Sequence, residues 1–177
     1  MARIVREHGR LRVVEEQIYA LRKERERRLE RADTPSLRKV ARLMTLQGIG
    51  MNSSWKLVME FFGWRNFRNR RQVGALSGLT PTLYDSGRRG REQGISKAGN
   101  RRIRTLAVEM AWVLIRFQPH SALIRWFMKR FAAGGSRMRR IGIVALARRL
   151  LIDLWRYLEY GLIPEGARIR PVITTKP

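Results

Sequence analysis

From Ile103 to Phe117 apolar residues return at every third or fourth position: Ile103, Leu106, Ala107, Met110, Ala111, Leu114 and Phe117. That period lines one stripe of an α-helix and matches no face of a strand. The same period runs through 36–47 (Leu37, Val40, Ala41, Met44) and 121–132 (Leu123, Ile124, Phe127, Phe131). It returns over 138–160, where Ile141, Val144, Ala145, Leu151, Leu154, Trp155 and Leu158 are expected inward. No segment alternates at the period of two that a half-buried strand requires. The expected class is therefore all-α. Pro119-His120-Ser121, Gly134-Gly135 and Gly161 punctuate the helices. The expected division is a helical arm over 1–34, a compact helical domain over 35–163 and a flexible tail over 164–177.

The arm is read as one helix over 4–31, ending before Asp33-Thr34-Pro35. Leu11, Val14, Ile18 and Leu21 are spaced three, four and three, a heptad seam that suits a short coiled coil between copies of the chain. The seam fades where Arg25 and Arg28 would occupy it. A solvated helix packed on its own domain is the competing reading.

Charge narrows the function. The chain carries 38 Lys and Arg against 14 Asp and Glu, a formal net charge of +24. Of the 38, 32 are arginine, whose planar fork grips phosphate and stacks on bases. The expected partner is nucleic acid, duplex DNA first. A membrane is not expected, since no apolar run approaches a span, and the expected location is the cytoplasm, at the nucleoid. With no cysteine and two distant histidines, His8 and His120, thiol chemistry and His- or Cys-ligated metals are not expected.

Two segments concentrate the phosphate-binding signals. Leu46-Gln47-Gly48-Ile49-Gly50 sits between two helical segments, as in a helix-hairpin-helix. Glycines at 48 and 50 allow a tight turn, and the next helix start, at Asn52, offers unbonded N–H groups to a phosphate. A glycine turn joining two helices with no ligand is the plainer reading. Residues 64–104 then hold eleven basic side chains against Asp85 and Glu92. Arg71–Gly78 is expected to be a short helix closed by Gly78, and Thr80-Pro81 to begin an extended stretch. Tyr84–Arg91 reads as a Gly/Arg loop. A helix from Ser96 would set Lys97, Arg101 and Arg104 on the face opposite the apolar stripe. The candidate DNA-binding residues are Gly48, Ile49, Gly50, Asn52, Arg68, Arg71, Arg88, Arg89, Arg91, Lys97, Asn100, Arg101 and Arg104. Most aromatic residues, Trp126 among them, read as core, while Trp64 and Phe67 are candidates for base stacking. Ser86, between Asp85 and Gly87 in the loop, is the best-placed nucleophile, although a serine beside glycine commonly just makes a turn.

Together these segments resemble a known family. Leu46-Gln47-Gly48-Ile49-Gly50, the block of Phe67 and Arg71 through Gly78-Leu79-Thr80-Pro81, Ser86-Gly87, and Ile95-Ser96-Lys97-Ala98-Gly99-Asn100-Arg101-Arg102-Ile103-Arg104 stand in the order seen in the C-terminal domain of DEDD-type insertion-sequence transposases, a group that includes pilin-gene invertases. The resemblance covers about residues 36–160, and the arm resembles the helical linker that precedes this domain. It implies that Ser86 is the nucleophile of strand exchange through a covalent serine–DNA link, with Gly87 as its structural neighbour. It also implies a structured guide RNA as partner, homo-oligomers, and magnesium held by four acids of a separate RuvC-like domain. None of the 14 acids here matches that set. The expectation is thus a truncated transposase, dependent on that domain and with no cofactor of its own. The alternative is a non-catalytic helix-hairpin-helix module that binds DNA or RNA.

Overall fold

Two long helices, α5 (Arg101–Phe117) and α7 (Ser136–Tyr160), pack on each other through the stripes that their periodicity defines. Ile103, Ala107 and Ala111 of α5 and Leu146, Ala147 and Leu151 of α7 are all but inaccessible to solvent. Each such leucine or isoleucine contributes about 1.5–3 kcal/mol by leaving water. The computed structural model describes residues 1–84 and 91–170, with backbone only at 83, 84 and 91–93.

The other elements are laid around this pair. Helix α1 spans Ala2–Arg31, α2 Pro35–Met44, α3 Met51–Leu57, α4 Arg70–Ser77 and α6 Ala122–Phe127. Helices α3 and α6 each widen into one π-helical turn, Val58–Phe62 and Met128–Ala132. The wider turn after α3 lets the consecutive Phe61 and Phe62 both reach the core, where they meet Phe67. Helix starts follow local chemistry. The side chains of Thr34, Asn69, Asn100 and Ser121 accept from the backbone N–H groups of Leu37, Arg71 and Gln72, Ile103, and Ile124 respectively. The Lys39 ammonium lies 2.7 Å from Glu159 and donates to the Phe62 carbonyl, tying α2 to α7 and to the π turn.

The class is all-α, with one departure. Strands β1 (Pro81–Tyr84) and β2 (Arg91–Ile95) pair antiparallel, Pro81 with Ile95 and Tyr84 with Arg91, with an irregularity between Pro81 and Leu83. The extended stretch at Pro81 is thus half of a ribbon. It escapes a search for alternation because one strand is four residues long and the other contains Gly94. Residues 85–90, with Ser86, Gly87, Arg88 and Arg89, lie outside the described residues, as does 171–177.

Four further expectations are corrected. Helix α5 begins at Arg101, because Gly99 (φ 130°) and Lys97 (φ 54°) cannot be helical. Phe67 is buried among aromatics and offers no face to a base. Phe117 and Ile141, expected inward, are 44% and 49% exposed, each lying near a helix end. Residues 164–170, assigned to the tail, are bonded to the body: Ala122 N–H donates to Glu165 and Gln47 N–H to Arg168.

Helix α1 buries none of its residues. At 1.5 Å per residue it is about 45 Å long, and only its C-terminal part meets the body, with Leu29 half-buried on the core. Leu11, Val14, Ile18 and Leu21 all stand exposed, so the seam has no partner among the described residues.

Candidate nucleic-acid interface

The turn between α2 and α3 divides its residues between two jobs. Leu46 and Ile49 are core, 2% and 1% exposed. Gly48 has φ 90°, and a Cβ there would lie 3.2 Å from the Phe117 Cβ and 3.3 Å from the Leu114 side chain. Its glycine serves left-handed geometry and a close approach to α5. Residues 168–170 brace the other side: Gln47 N–H donates to Arg168 and Arg170 N–H to Thr45, at 2.9 and 2.7 Å. Gly50 is different. It caps α3 with extended backbone (φ −96°, ψ 174°), and nothing would meet a Cβ there within 4 Å. Of the four turn candidates, Gly48 and Ile49 hold the fold, Gly50 faces open space, and the exposed Asn52 meets the arm.

The arm borders that open side. Arg25 donates to the Asn52 side chain at 3.2 Å, and its guanidinium lies 5.3 Å from the Trp55 ring centre. Arg22, Glu26, Gly50, Asn52 and Ser53 line a shallow cleft of about 220 Å³.

The second group runs from the start of α4 to the base of the ribbon. Ser96 N–H donates to Thr80, Lys97 N–H to Gly78 and Asn100 N–H to Leu76, so the 96–100 loop is laced onto the end of α4 and the start of β1. Arg104 is drawn inward and donates to the carbonyls of Lys97 and Ser77, at 3.0 and 3.4 Å. Its charge caps carbonyls at the end of α4, and Asn100 caps α5. Arg68, Arg71, Lys97 and Arg101 are exposed and make no ion pair among the described residues. Arg102, absent from the candidates, stands near Glu60 at 3.7 Å. Arg91 lies on β2, opposite Tyr84. The exposed Trp64 carries the Arg65 guanidinium 4.2 Å from its ring centre.

Among the described residues no three His, Asp or Glu side chains come together. No helix among them is long and apolar enough to cross a membrane.

A further cationic cluster joins residues that sequence spacing could not connect. Arg70 of α4, Arg149 and Arg156 of α7 and Trp126 of α6 line one cleft with Asp153. Burial pushes the Asp153 carboxyl above its ordinary value of 3.8, against the opposing pull of Arg156 and Arg149. A raised folded-state value means that the ionised form costs stability near neutrality, a cost relieved as pH falls through that value toward 3.8. Asp153→Asn is therefore expected to raise Tm at pH 7, with the gain shrinking toward pH 4. A lower Tm at pH 7 would show instead that the pairing with Arg156, 3.9 Å away, outweighs desolvation.

Comparison with known proteins completes the picture. Residues 40–124, from α2 to α6, match the family described as "Transposase IS116/IS110/IS902 family". The chain is 41% identical over 174 residues to "Putative transposase y4rJ" of Sinorhizobium fredii, covering 94% of this chain and 44% of that one. It is 30% identical over 124 residues to "Transposase for insertion sequence element IS1328" of Yersinia enterocolitica, covering 69% of this chain and 36% of that one. The chain thus spans under half the length of these relatives. The helical turn, the ribbon base and the α5 start all lie inside the matched segment, so over residues 40–124 the chain is similar to the transposase domain of the IS116/IS110/IS902 family.

Proposed function

We propose that this chain holds duplex DNA during transposition of an insertion sequence and that Ser86, with Gly87 beside it, is the nucleophile of strand exchange. The observation that carries the reading is a set of exposed cations, Arg68 and Arg71 at the start of α4 and Lys97 and Arg101 beside the base of the ribbon, that make no ion pair among the described residues, the ribbon's strands flanking residue 86 in sequence. Phosphates are the partner such cations suit, and a backbone-directed grip fits an enzyme that must hold many sequences. The α2–α3 turn adds a helix-hairpin-helix contact through Gly50 and Asn52. A guide RNA and the magnesium-holding RuvC-like domain belong to the same reading. Strand-exchange assays of it therefore supply both.

Duplex and structured-RNA affinities at several salt concentrations test the reading. The duplex is expected to bind with a steep salt slope, and Arg68→Ala with Arg71→Ala to lower that slope by about 2. Gly50→Asp is expected to weaken duplex binding while leaving Tm unchanged or raised, because aspartate is a good cap but repels phosphate. Unchanged duplex affinity in these variants would reject the surface, and a strong preference for structured RNA would favour a plain RNA-binding module.

The arm is proposed to join copies through its seam. Leu11→Glu with Ile18→Glu should convert an oligomer to a monomer in sedimentation equilibrium, and an unchanged mass would refute the seam.

A further inference from the structure

The cluster around Asp153 is a cleft of about 370 Å³, walled on one side by Leu162, Ile163 and Pro164 and on the other by α7. Its floor is a two-layer stack, the Arg149 guanidinium lying 4.1 Å from the Trp126 ring centre. The Trp126 ring is fixed in turn by an edge-on contact with Phe131 at 5.5 Å. Arg70 is exposed at one side, Arg156 is partly so, and the Asp153 side chain is 28% exposed. Glu165, the other acid here, is occupied by Arg125 at 3.2 Å.

These chemistries select a ligand. A simple anion would suit the arginines but be repelled by Asp153. An acidic peptide would meet the same repulsion, and an apolar one would waste three cations. A nucleotide suits the charged and aromatic lining, with phosphate for arginine, a flat base for the stack and an amino group for the carboxylate. The volume suits one small ligand. Bases inside a duplex cannot present a face to such a stack. We infer that this cleft binds one unpaired, amino-bearing nucleotide of a nucleic-acid strand. The base stacks on the Arg149–Trp126 tier, Arg70 and Arg156 hold the flanking phosphates, and Asp153 accepts from the base amino group. The site is separate from the ribbon and does not depend on Ser86 chemistry.

The test uses the full chain and labelled twelve-residue strands of dC, dT, rC and rU, with a mixed-sequence duplex measured alongside at several salt concentrations. Cytosine offers an amino group and thymine and uracil do not, so cytosine strands are expected to bind more tightly, and Asp153→Asn to erase the difference. The dC and rC arms show whether DNA or RNA is the better source of the nucleotide. Trp126→Ala and Arg149→Ala are each expected to weaken single-strand binding about tenfold and to leave the duplex within twofold. Trp112→Ala, an exposed tryptophan on α5, should change neither. Arg149→Ala alters an exposed side chain and keeps the test intact where Trp126→Ala fails to fold. Equal losses on single strand and duplex, or no loss in folded variants, would overturn the inference. Weak duplex binding by the unaltered chain would count against the proposed function and leave this cleft standing.

Discussion

Replacing Gly99 by alanine is expected to destabilise the fold by about 3 kcal/mol, a fall in Tm of roughly 6–12 °C for a chain of this size. Two effects combine. At φ 130° the backbone is in a region that side chains rarely enter, and a Cβ would lie 2.4 Å from the Leu76 carbonyl oxygen and 3.0 Å from the Gly78 nitrogen. Both atoms belong to backbone at the end of α4, and neither can swing away. Relief requires the 96–100 loop to lift, which would break the bonds from Asn100 to Leu76 and from Lys97 to Gly78. The Arg104 bridge to Ser77 and Lys97 would loosen with them. Gly50→Ala is the matched control. Its backbone is extended and its surroundings are open, so stability should stay within about 0.5 kcal/mol. Thermal melts of the two variants decide the matter: equal melting would mean that the loop yields without cost. Because the same loop carries Lys97 and ends at Arg101, Gly99→Ala should also weaken duplex binding, through geometry and with no loss of charge.

That pairing shows what could be read along the chain and what could not. The α5 stripe was legible because each buried residue repeats the period of its neighbours. Gly78 as the stop of α4 was legible too, and it takes φ 69° there. The role of Arg104 was not. On an uninterrupted helix from Ser96 it would face solvent, and only the left-handed Lys97 and Gly99 bring the Lys97 carbonyl within its reach. Gly48 and Gly50, two positions apart, look equivalent as turn residues, yet packing against Phe117 separates them. The cleft at Asp153 left no trace in any window, since Arg70, Trp126 and Arg149 meet only when α4, α6 and α7 do. Trp126 read as core because helical periodicity registers burial and cannot register an arginine arriving from another helix. Ser86 was singled out by composition and family pattern, and it lies outside the described residues.

Ser86→Ala is expected to abolish covalent attachment of the protein to DNA, lowering strand exchange by about a thousandfold or more, as loss of a nucleophile does elsewhere. In the proposed step the serine hydroxyl gives up its proton and its oxygen bonds to a backbone phosphorus. The bond from that phosphorus to one sugar oxygen breaks, and the sugar leaves as a hydroxyl after taking up a proton. No net oxidation occurs, and the strand remains joined to the protein by a phosphodiester that a second sugar hydroxyl can reclaim. Alanine removes the attacking oxygen and nothing else, so duplex affinity should stay within twofold. The measurement is a labelled duplex run under denaturing conditions with the chain, the acidic metal-holding domain and the guide RNA present, where a slow-moving adduct reports the covalent link. An adduct of undiminished yield from Ser86→Ala would assign the attack to another residue. No adduct from the unaltered chain, with tight duplex binding retained, would make it a DNA-holding module without chemistry. The cations at the ribbon base suit either outcome, because gripping phosphate requires only charge, whereas cutting the strand requires the hydroxyl as well.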